Sequence, residues 1–198
     1  AACSRPCLLG CAAGGTGRSG SAGPNLHAGA GARAVPAAGT YLADAVRGGP
    51  IEAEEGPDDV RAAADRGAEE RVLDVIGEAY PGHAIHAEES GRAGDHRYEW
   101  VVDPLDGTNN FAAGLPSFAT AACVRREGRP EVAAVYEPLP DSLYLARRGA
   151  GATVNGDPIA ADSAGPLSTG TVSFVIGLPA LRDADRRATA DRIESAIG

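Results

Sequence analysis

Lysine and methionine are absent from this chain of 198 residues, and aromatic residues are scarce at 5%. Its basic side chains are therefore all arginine, 18 of them against 27 acids, leaving a formal net charge of −9. That balance argues against nucleic acid as a partner, because phosphate backbones need clustered cations. An acidic, lysine-free, alanine-rich composition is typical of proteins that work in high salt or are encoded by GC-rich genomes. No long uninterrupted apolar run is present, which excludes a membrane-spanning helix as an expectation, while 43% apolar content in a chain of this length suffices for a substantial core. The N-terminal stretch also lacks the compact apolar segment of a secretory leader, so a cytoplasmic, reducing compartment is expected.

Residues 1–33 are dominated by Gly, Ala and Ser and show no apolar periodicity, so they are expected to form a disordered tail. Cys3, Cys7 and Cys11 recur every four residues, which on a helix would align three thiols for a metal or cluster. No fourth ligand of suitable spacing follows, and Gly10, Gly14 and Gly15 disfavour that helix, so an incidental grouping is the competing reading. Cys123 lies inside the apolar run from Ala119 to Val124 and reads as a small buried hydrophobe rather than a nucleophile.

Chemistry concentrates in Trp100-Val101-Val102-Asp103-Pro104-Leu105-Asp106-Gly107-Thr108-Asn109-Asn110-Phe111. The Trp-Val-Val triplet reads as the end of a buried strand, and Pro104 is expected to stop ladder pairing. Asp103 and Asp106 then offer two hard oxygen ligands close together, suited to a cation such as magnesium. Gly107 permits close backbone approach, and Thr108 and Asn109 are good N-cap residues, so N–H groups there could face a phosphate. An isolated Asp-x-x-Asp-Gly could equally be a surface turn. Upstream, however, Ala87-Glu88-Glu89-Ser90-Gly91 supplies a second carboxylate pair at another expected strand end. Acids gathered from two strand termini would repel one another unless a cation sat among them.

The rest of the chain has an α+β order. Ala37 to Val46 reads as a short helix ended by Gly48-Gly49-Pro50. A second helix starts at Pro57-Asp58-Asp59, carries Val60, Ala64, Ala68, Val72, Val75 and Ile76 along one stripe, and ends near Tyr80-Pro81-Gly82. Asp65 falls beside that stripe, where a charged group needs a partner. Short strands are expected at Ala84–Ala87, Tyr98–Val102, Phe118–Val124, Glu131–Tyr136 and Ser142–Ala146, joined by turns such as Asn155-Gly156, and a final helix at about Asp183–Ile197. His83 and His86 flank the first strand. Zinc ligation is one reading of them, and a solvated strand edge the simpler one. Glu89 is either a support for Glu88 or a solvated neighbour on the opposite face.

These segments together resemble the inositol monophosphatase family of magnesium-dependent, lithium-sensitive sugar phosphatases, which includes the archaeal-type fructose-1,6-bisphosphatases. Trp100–Phe111 is similar to the family's first signature and Glu88-Glu89-Ser90 to its Glu-Glu-Ser motif. Val135-Tyr136-Glu137-Pro138, Leu143 to Gly149 and Val154 to Ile159 resemble its strand, strand and Asn-Gly turn. The resemblance runs from about residue 34 to residue 198. It implies one domain, the N-terminal portion of the family's layered α/β/α/β/α sandwich with paired helices and a mainly antiparallel sheet. The C-terminal part, with a Trp-Asp motif that bears on the second metal, lies outside the chain.

The resemblance also implies roles. Glu88, Asp103, the backbone carbonyl of Leu105 and Asp106 would hold two or more magnesium ions. Asp65 would orient Thr108, and Asp106, Gly107 and Thr108 would contact the substrate phosphate. The family's Val-Thr-x-Ala-Asp segment is Val60 to Asp65 here and lacks the threonine. The implied activity is hydrolysis of inositol-1-phosphate or a related phosphate monoester, with fructose 1,6-bisphosphate or a nucleotide bisphosphate as alternatives. The implied partner is a small phosphorylated sugar or inositol, with no membrane or nucleic acid, and the family suggests a homodimer. A catalytically silent metal- or phosphate-binding or interaction protein is the alternative from another class.

Overall fold

The computed structural model describes residues 24–48 and 57–161 together with 187, 188, 191, 192 and 195, with no account of the side chains of residues 24 and 57–61. Cys3, Cys7 and Cys11 lie outside the described residues, as does most of the expected final helix. The chain divides into two compact units, Ala1–Gly156 and Asp157–Gly198, so a boundary falls within the segment read from sequence as one domain. The second unit contributes a short strand at Asp157–Ile159.

In the first unit, α1 (Pro24–Val46) and α2 (Pro57–Ala79) precede β1 (Ala84–Ala87), β2 (Gly91–Ala93), β3 (Tyr98–Asp106), the single turn α3 (Thr108–Ala112), β4 (Ala119–Arg126), β5 (Arg129–Glu137), β6 (Ser142–Arg147) and β7 (Gly151–Val154). The helix expected from Ala37 thus begins at Pro24, and residues 24–33, assigned to the tail by composition, form its first turns. Proline is well suited to the first helical position and the following Ala-rich sequence favours helix. The inward stripe of this helix, Ala30, Ala34, Val35, Ala38 and Leu42, is buried but made mostly of alanine, so its first turns look in composition like the Gly- and Ala-rich sequence before them. Small residues there let the helix lie close to the sheet. A side chain at Gly39 would collide with the Tyr136 ring of β5.

α2 begins and ends where the sequence suggested, with Ala64, Ala68, Val72 and Ile76 each at 0% exposure along the expected stripe. Both helices pack on one face of the sheet, α1 against β4, β5 and β6 and α2 against β3 and α1. Tyr98, Trp100 and Val102 of β3, Ala122 and Val124 of β4, and Val132, Ala134 and Tyr136 of β5 complete that core.

The strands run in the order β2-β1-β3-β4-β5-β6-β7. Every neighbouring pair is antiparallel except β1 and β3, which run parallel with Ala84 opposite Glu99 and Ala87 opposite Val102. A short β2 hairpin makes this possible, returning the chain so that β3 starts beside the start of β1. Neither β2 nor β7 was visible in the sequence, since each is short, glycine-led and largely polar or small.

Pro104 does not end β3 as expected. The strand continues to Asp106, and the step from Asp103 to Asp106 is matched on β4 by the shorter step from Ala121 to Ala119. β3 therefore carries an extra residue, a bulge that accommodates a proline without N–H; the Pro104 carbonyl accepts the Thr120 hydroxyl at 2.9 Å.

His83 also departs from expectation. His86 is exposed, as expected for a strand edge, but His83 is half-buried, stacks on Tyr80 at 4.5 Å between centroids and accepts the Trp100 indole N–H at 3.2 Å. His27, fully buried with neither ring nitrogen hydrogen-bonded, lies against His83 at 5.4 Å. Desolvation holds both imidazoles below their ordinary 6.5, His83 at about 4, with Glu131 partly offsetting the effect at His27. The unfolded chain takes up these protons near 6.5 whereas the fold resists them. Stability from the pair is therefore complete above pH 6.5 and is lost as pH falls from there through about 4. The urea midpoint is expected to be lower at pH 5 than at pH 7.5, and His27→Phe, which keeps the ring and removes its orphan nitrogens, to shrink that difference. An undiminished difference in the variant would assign the acid sensitivity elsewhere.

Candidate active site

Parallel pairing of β1 and β3 places the carboxyl end of β1 beside Val102, shortly before β3 ends at Asp106. Because Ala87 is opposite Val102, the ladder carries the chain up to Glu88 and Asp103 at the same edge, where it stops. The bulge then acts on the second aspartate. In a regular strand, residues three apart point to opposite faces; the extra residue between Asp103 and Asp106 corrects that parity. The charge of Asp106 accordingly reaches Asp103.

α2 supplies the third side of the cluster. Asp65 is half-buried, and its carboxyl is pushed up from 3.8 to about 7, first by burial and then by the charges of Glu89, Glu88, Asp103 and Glu69. Asp103 is raised to about 6 by burial, by the charges of Glu88 and Asp106 and by hydrogen bonding with Glu88, against a stabilising bond from the Leu105 backbone. Burial and mutual repulsion thus favour the protonated forms of Asp65 and Asp103. Oδ1 of Asp103 is buried without a hydrogen-bond partner. Among the described residues, no three His, Cys, Asp or Glu side chains converge into a ready metal cage. The donor set is nonetheless what a hard divalent cation requires: carboxylate oxygens from separate segments, one of them buried and unsatisfied. Glu88, Asp103 and Asp106 are oxygen donors of the type that could hold magnesium.

The turn after Asp106 is built on Gly107, whose φ of 87° lies in the left-handed region. A Cβ there would also fall 2.8 Å from the Ser117 carbonyl. Gly107, rather than Thr108 or Asn109, caps the short α3, and the Phe111 N–H bonds its carbonyl at 3.0 Å. Thr108 is half-buried and donates its hydroxyl hydrogen to the Leu105 carbonyl at 3.0 Å. That differs from the expected pairing with Asp65: the single hydroxyl proton is already committed to Leu105. It also ties Thr108 to the carbonyl considered as a metal ligand. Phe111 and Phe118 meet edge-on at 5.3 Å beneath the turn and fix it to the core.

Sequence reading passed over Glu69. It is buried at 4% exposure, one helical turn after Asp65, and accepts the backbone N–H groups of Glu89 and Ser90 at 2.8 and 2.9 Å. The available signal was its position four residues after Asp65, beside the same apolar stripe.

Paired helices on one face of a mostly antiparallel sheet, with acids gathered where β1 and β3 run side by side, define an α+β protein with an acidic cluster at one edge of its sheet. The model of the inositol monophosphatase family matches residues 27–197, and the chain belongs to that family. It is 42% identical over 128 residues to the Nus factor SuhB of Escherichia coli (strain K12), a match covering 64% of this chain and 47% of that protein. The structure of inositol monophosphatase from Anabaena (Nostoc) sp. PCC 7120 aligns with a TM-score of 0.64 and 34% identity, covering 73% of this chain and 52% of the other. Inositol monophosphatase-II from Staphylococcus aureus MSSA476 aligns with a TM-score of 0.59 and 30% identity, covering 69% and 52% respectively. The chain thus spans about half the length of the curated relatives it matches. No helix among the described residues is long and apolar enough to cross a membrane.

Proposed function

We propose that this chain carries the metal- and phosphate-binding half of a magnesium-dependent phosphatase acting on a small phosphate monoester, inositol-1-phosphate or a related sugar phosphate. The observation that carries the reading is the buried, unpartnered Asp103 oxygen at the meeting point of β1, β3 and α2, inside a cluster whose acids raise one another's pKa. In this reading Glu88, Asp103 and the Leu105 carbonyl hold one ion, and Asp103 with Asp106 a second. When bound, magnesium supplies the positive charge that offsets the phosphoryl oxygens and acidifies the attacking water. Gly107 lets the backbone come close to the phosphate, with N–H donors from Gly107 and Thr108. The Thr108 hydroxyl, held at the Leu105 carbonyl, orients the water for in-line attack, and Asp65 serves as proton acceptor nearby. No covalent intermediate is required.

Phosphate release from inositol-1-phosphate, fructose 1,6-bisphosphate and a nucleotide 3′,5′-bisphosphate, each with and without magnesium, tests the activity and ranks the substrates. Magnesium-independent release, or none from any ester even when the chain is fused to the downstream half of a relative, would overturn the reading. Thr108→Ala is expected to lower kcat about a hundredfold while leaving metal affinity within about twofold, because the hydroxyl acts on water rather than on the ion. An equal loss of metal affinity would instead make Thr108 part of the metal shell.

A second reading, an interaction protein without turnover, is favoured by the Nus factor name of the curated relatives. It predicts metal binding with no phosphate release. Adding the downstream half of a relative as a fusion would restore turnover if this half is catalytically competent and leave it absent if it is not.

A further inference from the structure

Glu88 leaves the sheet as soon as β1 ends: the ladder with β3 stops at Ala87 and Val102, and residues 88–90 form an exposed turn into β2. Backbone pairing alone therefore does not fix the position of Glu88 beside Asp103. The turn is held from the other side by Glu69 of α2, whose Oε2 accepts the Glu89 N–H at 2.8 Å and whose Oε1 accepts the Ser90 N–H at 2.9 Å. Two oxygens meeting two consecutive amides is a geometry only a carboxylate provides. Glutamine offers one acceptor and would set an NH2 group against the second N–H.

The carboxylate holds this turn although its charge adds to the repulsion that raises Asp65. Burying a charge at 4% exposure beside other acids is costly unless it is hydrogen-bonded or a cation is drawn to the cluster. We propose that Glu69 is a positioning residue of the cation site: it ties the Glu88-Glu89-Ser90 turn to α2 and so holds Glu88 in register with Asp103. The inference rests on the reading of these acids as a divalent-cation site. Glu69 acts through Glu88 and is not itself a ligand, since both its oxygens are taken up by main-chain donors.

The test is direct binding of Mn2+ to the full chain, followed by electron paramagnetic resonance of the free ion, for wild type, Glu69→Gln and Glu69→Ala. Thermal unfolding and hydrogen exchange at the Glu89 and Ser90 amides are measured on the same samples. Glu69→Ala is expected to weaken Mn2+ binding about tenfold to a hundredfold, with Glu69→Gln intermediate and faster exchange at both amides. Glu99→Gln is the control. Glu99 is equally buried at 7% exposure but is paired with Arg92 and Arg125, so its loss should lower stability and leave Mn2+ affinity unchanged. Wild-type affinity in Glu69→Ala and Glu69→Gln, or a loss no larger than in the control, would overturn the positioning role while leaving the cation site intact. Absence of Mn2+ binding by the wild type would overturn the site itself, a failure separable from the first because it appears before any substitution is made.

Discussion

Asp103→Asn is expected to reduce magnesium-dependent phosphate release by about a thousandfold while raising the unfolding temperature of the metal-free chain. The opposite signs come from one cause. Asp103 sits where burial and the charges of Glu88 and Asp106 lift its carboxyl from 3.8 to about 6, so its ionised form is disfavoured in the fold. Asparagine has the same shape without the charge, and its NH2 group can donate to Glu88. A shift of that size corresponds to about 3 kcal/mol at most, of which roughly 1 kcal/mol survives in a site open to water on one side. The same substitution removes the ligand proposed to be shared by both ions and replaces a charged donor with a weak neutral one. Asp106→Asn should also abolish turnover, with a smaller gain in stability because Asp106 is exposed. Phosphate release and thermal unfolding in EDTA check both quantities. Near-normal turnover in Asp103→Asn would refute the site, and a fall in metal-free stability would refute the account of its strain.

Legibility in the sequence followed hydrophobic contrast and motif length. α2 was readable because Val72, Ile76 and the buried alanines recur at helical spacing among charged residues, and the longer strands because short runs rich in Val, Tyr and Leu are bounded by turn residues. The first turns of α1 were not, since an inward face of Ala30, Ala34 and Ala38 looks like the glycine- and alanine-rich sequence before it. β2 escaped because three residues carry no usable period. The carboxylates of the site were identifiable from Asp103-Pro104-Leu105-Asp106-Gly107 and Glu88-Glu89-Ser90. What joins them was not, because it is topological: a parallel β1–β3 pair in an otherwise antiparallel sheet, and a bulge at the proline that was expected to end the strand. Glu69 shows the same limit. Its spacing from Asp65 is visible in one dimension, but its bonds to Glu89 and Ser90 exist only once α2 lies against the β1–β2 turn. The Asp65–Thr108 pairing implied by resemblance is replaced by a bond from Thr108 to Leu105, three residues before it in the chain.

Trp100→Ala should be the most destabilising single core change, costing about 3–5 kcal/mol, a large part of the ~5–15 kcal/mol that holds a domain of this kind together. The side chain is 1% exposed, the chain's sole tryptophan, and its ring comes close to Gly31 of α1. Its ring borders Tyr80 and His27, and its N–H supplies the hydrogen bond that His83 accepts. Alanine would leave a cavity among groups held by other contacts and strip a half-buried imidazole of its donor. Trp100→Phe retains most of the packing and loses the N–H, so it should cost about 1–2 kcal/mol, and the gap between the two variants measures the cavity. Urea unfolding followed by circular dichroism checks both, fluorescence being lost with the residue. Trp100 also faces Ile85 across the parallel ladder that brings Glu88 to Asp103, so activity tests whether the ladder or the tryptophan holds the site. If the backbone register carries the geometry, Trp100→Phe below its unfolding transition should bind Mn2+ with wild-type affinity and release phosphate at a near-normal rate per folded molecule. A fall in affinity without unfolding would mean that the core beneath β3, and not the ladder alone, sets the distance between the carboxylates.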